Sequence, residues 1–284
     1  MPGKLYLCAT PIGNLEDASF RLIRILNEAD LIVCEDTRHT LKLLNHYNIK
    51  KPLISYHSYS SAKKEAQIIA RIQSGSNIAL VSDAGMPSIS DPGQRLAAQA
   101  YAAGLTVEII PGVSAVTTAL TASGFPGNGF IFLGFLPRKK GKRKEQLESL
   151  LYEEKPTVIF EAPHRLLSAL QDLMEVLGPD RLVTIARELT KINEEILIGP
   201  CSDLIRHFQQ QAPRGEICLV ISGTLQEPQV DMEQMMTEVQ FLMEQGMDKK
   251  RAFKTKAHEY KIAKSVIYNR YIENQKTNIL PDND

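Results

Sequence analysis

Two aspartates set among glycines and prolines, in Ser82-Asp83-Ala84-Gly85-Met86-Pro87-Ser88-Ile89-Ser90-Asp91-Pro92-Gly93, form the stretch best suited to chemistry. It follows the apolar run 77–81, which reads as a buried strand, and precedes a helical pattern from about residue 94. Glycine permits sharp turns and proline stiffens them, so the segment is a rigid loop that offers carboxylates and free backbone N–H groups. In α/β sheets, small ligands sit beside such loops at the carboxyl ends of strands. Two further loops end apolar runs in the same way: Thr10-Pro11-Ile12-Gly13-Asn14 and Ile110-Pro111-Gly112-Val113-Ser114-Ala115. Ser114 is not a hydrolase nucleophile, because Val116 stands where a G-x-S-x-G elbow needs its second glycine. It reads instead as a helix-starting residue whose N–H faces a ligand. The chain has neither a G-x-G-x-x-G fingerprint nor a Walker loop, so nicotinamide and nucleoside-triphosphate chemistry lose their main support.

Charged clusters follow other strand-like runs: Glu35-Asp36-Thr37-Arg38, Glu161-Ala162-Pro163-His164-Arg165 and Arg187-Glu188-Leu189-Thr190-Lys191. Each mixes a carboxylate with a cation, as the rim of a polar cleft does. Glu16, Asp17, Glu35, Asp36, Glu161 and Glu188 are therefore candidate proton acceptors, and their spacing does not choose among them. His164 reads equally as a base or as a hydrogen-bonded structural residue. The six histidines show no metal-ligand spacing, so no metal site is expected. Net charge is zero, with 33 cations against 33 anions, yet the cations are segregated. One run is Arg138-Lys139-Lys140-Gly141-Lys142-Arg143-Lys144. Residues 249–276 hold nine more Lys/Arg against Glu259 and Glu273. Such segregation suits a phosphate backbone.

These groups need a scaffold. Strand-like runs at 5–9, 31–34, 53–56, 77–82 and 107–110 alternate with helical patterns at 41–47, 62–74 and 96–103. Another helical pattern recurs through Phe20, Ile23 and Leu26 behind a Ser19 cap. The alternation predicts an α/β domain with a largely parallel sheet over residues 1–125. Residues 126–225 read as a second α/β domain with a mixed sheet: a strand at 130–135, a helix from 145, a helix at 166–177, and strands at 157–161, 182–186, 196–198 and 217–222. A hairpin is expected around 191–193. Residues 223–230 look like a linker. Over 231–276, the Met232, Met235, Met236, Val239, Leu242 stripe, an Asp248 cap and a pattern at 262–272 predict three short helices resembling a helix-turn-helix unit. Cys8, Cys34, Cys201 and Cys218 lack paired spacing, which predicts reduced thiols and a cytoplasmic protein. No secretory signal is expected, since Lys4 is followed by only a short strand-length apolar run, and no membrane span, since the apolar-leaning stretch 106–125 is broken by Glu108, Pro111 and Gly112.

In this order, the motifs resemble the tetrapyrrole methylase superfamily of S-adenosylmethionine-dependent methyltransferases, over about residues 4–222. The wording Thr-Pro-Ile-Gly-Asn-Leu, Glu-Asp-Thr-Arg, Ser-Asp-Ala-Gly-Met-Pro-Ser-Ile-Ser-Asp-Pro-Gly, Gly-Phe-Leu-Pro and Arg-Glu-Leu-Thr-Lys resembles one branch of it. Members of that branch methylate a ribose 2′-hydroxyl of a cytidine in the decoding region of 16S ribosomal RNA, and carry a helix-turn-helix extension. The resemblance implies two α/β domains with S-adenosylmethionine in the cleft between them, a homodimer, and the small ribosomal subunit as partner. It implies cofactor contacts from Pro11, Ile12, Asp83, Gly85, Met86, Ser114, Ala115, Ala162, Arg187, Pro213 and Gly215, with residues 88–93 shaping the entrance. RNA contacts are expected from Arg38, Arg138, Lys139, Lys140, Arg143, Arg165 and Lys191. Tetrapyrrole-methylating members carry Gly-x-Gly-x-Gly-Asp in the first loop, where this chain has Gly13-Asn14. A tetrapyrrole methyltransferase and a non-enzymatic nucleic-acid-binding protein are the competing readings; the first leaves the basic run unexplained, the second the cleft loops.

Overall fold

The structure is a computed structural model that describes residues 1–57, 60–87, 93–224, 231–260, 262 and 264–277. The first five strands are β1 (Lys4–Cys8), β2 (Leu31–Cys34), β3 (Leu53–Ser55), β4 (Ile78–Val81) and β5 (Thr106–Ile110). They form a parallel sheet in the order β3-β2-β4-β1-β5. Helices α1 (Phe20–Glu28) and α2 (Thr37–His46) cover one face through Leu22, Ile25, Leu26, Leu43 and Leu44. Helices α3 (Ala62–Gln73) and α4 (Gly93–Ala102) cover the other through Ile68, Ile72, Leu96 and Ala100. Ser19 caps α1 by accepting the Leu22 N–H, as its type predicts. The stripe of α1 is nevertheless Leu22, Ile25 and Leu26. Phe20, expected to face the core, is 94% exposed, because it is the first helical residue and lies roughly 120–160° of helical rotation from each residue of the buried stripe.

Neighbouring strands β1 and β4 send their crossovers to opposite faces, α1 to one and α4 to the other. A crevice therefore opens between their carboxyl ends, where ligands bind in open α/β sheets.

The second sheet runs β6 (Ile131–Phe135), β7 (Thr157–Glu161), β10 (Ile217–Ile221), β8 (Leu182–Arg187) and β9 (Glu195–Pro200). Only β6 and β7 pair in parallel, and β8 with β9 forms the expected hairpin. Strand β10 is buried on both faces. Its Ile217, Leu219 and Ile221 pack with α6 (Lys140–Glu148), α7 (Pro163–Leu177) and α8 (Cys201–Gln210). Its Cys218 and Val220 pack with Val116 and Ala119 of α5 (Ala115–Ser123), a helix that follows the first sheet in the chain. Helix α5 thus joins the two sheets around one apolar cluster. The helix expected from 145 begins earlier, at Lys140, so that Lys140 to Lys144 of the basic run form its amino-terminal half, with Arg138 and Lys139 just before it.

Helices α9 (Met232–Glu244), α10 (Lys249–Glu259) and α11 (Lys264–Thr277) close a separate small core of Met235, Met236, Val239, Phe253 and Ile267. Asp248 caps α10, accepting the N–H groups of Lys250 and Arg251 at 3.0 and 3.2 Å. Residues 225–230 of the expected linker lie outside the described residues, as do Lys261 and residues 88–92 of the expected entrance. All four cysteines are buried free thiols.

Candidate active site between the two sheets

The loops after β1 and β4 are pinned to each other. Thr10 N–H donates to the Gly85 carbonyl and Gly85 N–H to the Thr10 carbonyl, both at 3.0 Å. The Thr10 hydroxyl donates to the Ser82 carbonyl, and the Ser82 hydroxyl to that of Gly85. Gly85 adopts φ +76°, a left-handed conformation that favours glycine, and a Cβ there would press on Ile12 and the Val113 carbonyl. The third loop is equally tight, since a Cβ on Gly112 would meet the Ala9 side chain at 2.8 Å. Beside them, Asp83 Oδ1 accepts the Asp36 N–H at 3.0 Å, and Asp36 Oδ1 accepts the Arg38 N–H at 2.7 Å to cap α2. The loops after β2 and β4 are thereby fixed together.

The main cleft, about 540 Å³, lies between this edge and the second sheet. Ile12, Asp83, Ala84 and Ala115 form one wall; Phe135, Phe160, Glu161, Ala162, Leu189 and Gly215 form the other. A side chamber of about 150 Å³ is lined by Glu35, Gly85, Met86, Ser114 and Ala115. A second, of about 260 Å³, is lined by Pro11, Ile12, Gly13, His39, Thr40, Lys42, Leu43, Lys191 and Glu216. All three have Asp83 and Ala84 in their walls. Two helices begin at this site without a side-chain cap, α5 behind Ser114 and α7 behind Ala162. The start of α5 presents N–H groups that suit an anionic ligand group, whereas α7 opens on Pro163, which has none.

The segment 188–191 joins the second sheet to the first loop. Glu188 and Thr190 hold φ of +52° and +66°, unusual for residues with side chains. Glu188 Oε1 accepts the Lys191 ammonium at 2.8 Å and the Glu216 N–H at 2.9 Å, which holds this backbone in place. The Asn14 N–H donates to the Thr190 hydroxyl at 3.0 Å. Gly13 has no room for a Cβ against Lys191 and Thr190, so the two loops touch backbone to side chain. Burial works to raise the Glu188 pKa, but Lys191 and the Glu216 N–H outweigh it and hold the carboxyl below the ordinary range. Glu161 goes the other way. Burial pushes its pKa up, against the opposing Ala162 N–H and Arg165 guanidinium, and its Oε2 is buried with no hydrogen-bond partner among the described residues.

The expected cofactor contacts divide. Ile12, Asp83, Gly85, Met86, Ser114, Ala115, Ala162 and Gly215 line the main cleft or the 150 Å³ chamber, and Pro11 lines the 260 Å³ chamber. Arg187 and Pro213 line none of the three; Arg187 is bound to Glu195 at 2.9 Å and to the Arg214 carbonyl. Of the expected RNA contacts, Arg38, Arg138, Lys139 and Lys140 are exposed. Arg143 is not a surface residue: it is 7% exposed, donates to Asp172 at 2.7 Å, and braces the Pro137 and Arg138 carbonyls. It sits on the inner face of α6, so burial with a carboxylate replaces exposure. Arg165 is likewise drawn inward, to Glu161 at 3.2 Å and the Leu136 carbonyl at 2.7 Å. His164 is exposed and lines none of these cavities. Sequence reasoning missed His39, Lys42, Ala84, Phe135 and Glu216. The i, i+1, i+4 spacing of His39, Thr40 and Leu43 on a helix following Glu35-Asp36 was the available signal for the first of them.

The model of the family described as Tetrapyrrole (Corrin/Porphyrin) Methylases matches residues 4–205. The chain is 44% identical over 273 residues to the ribosomal RNA small subunit methyltransferase I of Synechocystis sp., covering 95% of this chain and 98% of that one. It is 51% identical over 221 residues to the protein of the same name from Thermotoga maritima, covering 78% and 99%. Among solved structures, cobalt precorrin-4 methyltransferase superposes with TM-score 0.61 at 16% identity, covering 77% of this chain and 94% of that one. A Thermus thermophilus uroporphyrin-III C-methyl transferase complexed with S-adenyl homocysteine superposes with TM-score 0.52 at 16% identity, covering 77% and 96%. At such identities, these two likenesses concern the fold.

Proposed function

This chain belongs to the tetrapyrrole methylase family, and from that premise we propose that it methylates the ribose 2′-hydroxyl of cytidine 1402 in 16S ribosomal RNA, using S-adenosylmethionine. The observation that carries the reading is 44% identity across 95% of the chain to a protein named for small-subunit rRNA methylation. The cleft fits the methyl donor. Its volume of about 540 Å³ lies in the range of small-molecule sites, roughly 300–1,000 Å³. Apolar walls from Ile12, Phe135 and Phe160 suit a nucleobase, and the uncapped start of α5 suits a carboxylate.

Ile12, Asp83, Gly85, Met86, Ser114, Ala115, Ala162 and Gly215 are the residues we assign to holding the donor. When bound, it supplies an electrophilic methyl on a sulfonium sulfur. The protein's own task is alignment, because displacement requires hydroxyl oxygen, methyl carbon and sulfur in line. The pinned loops after β1 and β4 provide a stiff wall for it. RNA is held by the exposed cations Arg38, Arg138, Lys139 and Lys140, with Lys191 at the cleft edge. Arg138, Lys139 and Lys140 gather where α6 begins, an end of a helix that favours anions over cations. Phosphate groups offset that repulsion, and α10 carries further exposed cations in Lys250, Arg251 and Lys254. The Gly13-Asn14 loop lacks the aspartate of tetrapyrrole-methylating members, which favours RNA over a macrocycle.

The protein acts in the cytoplasm, where small ribosomal subunits are found. It acts as a homodimer, joined through the uncovered face of the edge strand β9, where Ile196 and Ile198 are 40% and 54% exposed beside a fully exposed Ile192. Incubation of the protein with methyl-labelled donor and small subunits lacking the mark, followed by nuclease mapping, tests the reaction. Label on a cytidine ribose is expected; label on a base, or none, refutes it.

A further inference from the structure

The 260 Å³ chamber lies between α2 and the Lys191–Glu216 pair, and it shares Ile12, Asp83, Ala84 and Glu216 with the main cleft. Ligands in the two spaces would meet across that common wall. A ribose hydroxyl needs a proton acceptor within hydrogen-bond reach. The carboxylates named from the sequence as candidate proton acceptors are placed otherwise, and Asp83, in the wall of all three cavities, has its Oδ1 on the Asp36 N–H at 3.0 Å. Asp36 caps α2, and Glu188 binds Lys191 and the Glu216 N–H. Glu161 has a fully buried side chain paired with Arg165. Glu16 and Asp17 lie on a one-turn helix outside all three cavities, and Glu35 lines the 150 Å³ chamber instead.

His39 is different. It lines the 260 Å³ chamber, is exposed, and no described residue hydrogen-bonds or ion-pairs with it. Its helix is anchored by Leu43 and Leu44 in the core and by the Asp36 cap, so the imidazole stands on a rigid element. The charged groups around it are Asp36, Arg38 and Lys42 from its own helix, Asp83 from the loop after β4, and Lys191 and Glu216 from across the chamber.

We propose that this chamber receives the target ribose and that His39 is the proton acceptor, an inference that rests on the RNA methyltransferase reading above. As the 2′-oxygen forms its bond to the methyl carbon, the carbon–sulfur bond breaks and its electron pair stays on sulfur, leaving a neutral thioether. The hydroxyl proton passes to an imidazole nitrogen, and the imidazolium returns it to water. Lys42 faces the same space and holds an adjacent phosphate.

The test uses the full-length His39→Ala and His39→Gln proteins with small subunits lacking the mark. Single-turnover methylation falls about a hundredfold or more and is partly restored by added imidazole, while donor affinity measured by calorimetry stays within about twofold. Independently of activity, diethyl pyrocarbonate modification of His39 in the wild type, mapped by mass spectrometry, is slowed by the RNA substrate and not by the donor alone. A variant rate within about threefold of wild type, a lowered melting temperature with lost donor affinity, or a His39 left unprotected by RNA overturns the assignment. A wild-type protein that leaves no label on ribose sinks the functional reading instead, whatever His39 does.

Discussion

Arg143 and Arg138 are five residues apart in one basic run, yet the fold gives them different work. The Arg143–Asp172 pair is buried, and removing the guanidinium leaves Asp172 with only the exposed Lys140 ammonium at 3.6 Å; breaking such a buried pair costs about 3–5 kcal/mol. Arg143→Ala should therefore lower stability by about that amount in chemical denaturation. Arg138→Ala with Lys139→Ala should leave the denaturation midpoint in place and weaken RNA binding at moderate salt. The opposite pattern would return Arg143 to the surface. Glu161 makes a pH prediction. Its pKa is raised in the folded protein, so the native state binds the proton more tightly than the unfolded chain does. The stability it contributes is complete below the ordinary carboxylate pKa and is lost as pH rises through the raised value. The difference in melting temperature between Glu161→Gln and wild type should accordingly move in favour of the variant from pH 4 to pH 7. A difference that does not change with pH would mean the carboxyl titrates normally. Burial also lifts the Cys8 and Cys218 thiols to about 12, which keeps both in the thiol form at neutral pH.

At the scale of elements, strands and caps were legible because they depend on neighbours in the chain. The strand at 157–161, the Ser19 and Asp248 caps and the Met235/Met236/Val239 stripe all stand where local pattern places them. The segment 188–191 was not legible. Its left-handed Glu188 and Thr190 are held by Lys191, by the Glu216 N–H from the start of β10 and by Asn14 from the first loop, contacts that no local signal announces. Gly215, at φ +83°, leaves space that a Cβ would take from the Glu188 carboxylate. Gly215→Ala should cost about 1–2 kcal/mol from the backbone alone, and more from displacing Glu188. In a Glu188→Ala background the excess should vanish, which a double-mutant cycle measured by denaturation would reveal; strict additivity would show that the two positions do not meet.

For the whole molecule, the edge strand β9 offers the clearest check on assembly. Ile198→Asp should convert a dimer to a monomer in sedimentation equilibrium without changing the fold, and a wild type already monomeric at micromolar concentration would dispose of the proposal. At this scale sequence and fold divide the account on physical grounds. The alternation of apolar runs with amphipathic helices, the three glycine- and proline-bearing loops after β1, β4 and β5, and the segregated cations are written along the chain, since each rests on residue type and short spacing. They were enough to expect the Asp83 loop at the edge of the sheet where the cleft lies, and to connect the chain with its family. Which charges are available for chemistry depends on what the fold brings together: Asp172 for Arg143 and the Glu216 N–H for Glu188, both far away in sequence, and for Glu161 the burial that surrounds it and its near neighbour Arg165. A carboxylate and an imidazole look equally free in one dimension. Desolvation and pairing across the fold leave His39 facing an open chamber and turn the charged clusters around it into supports.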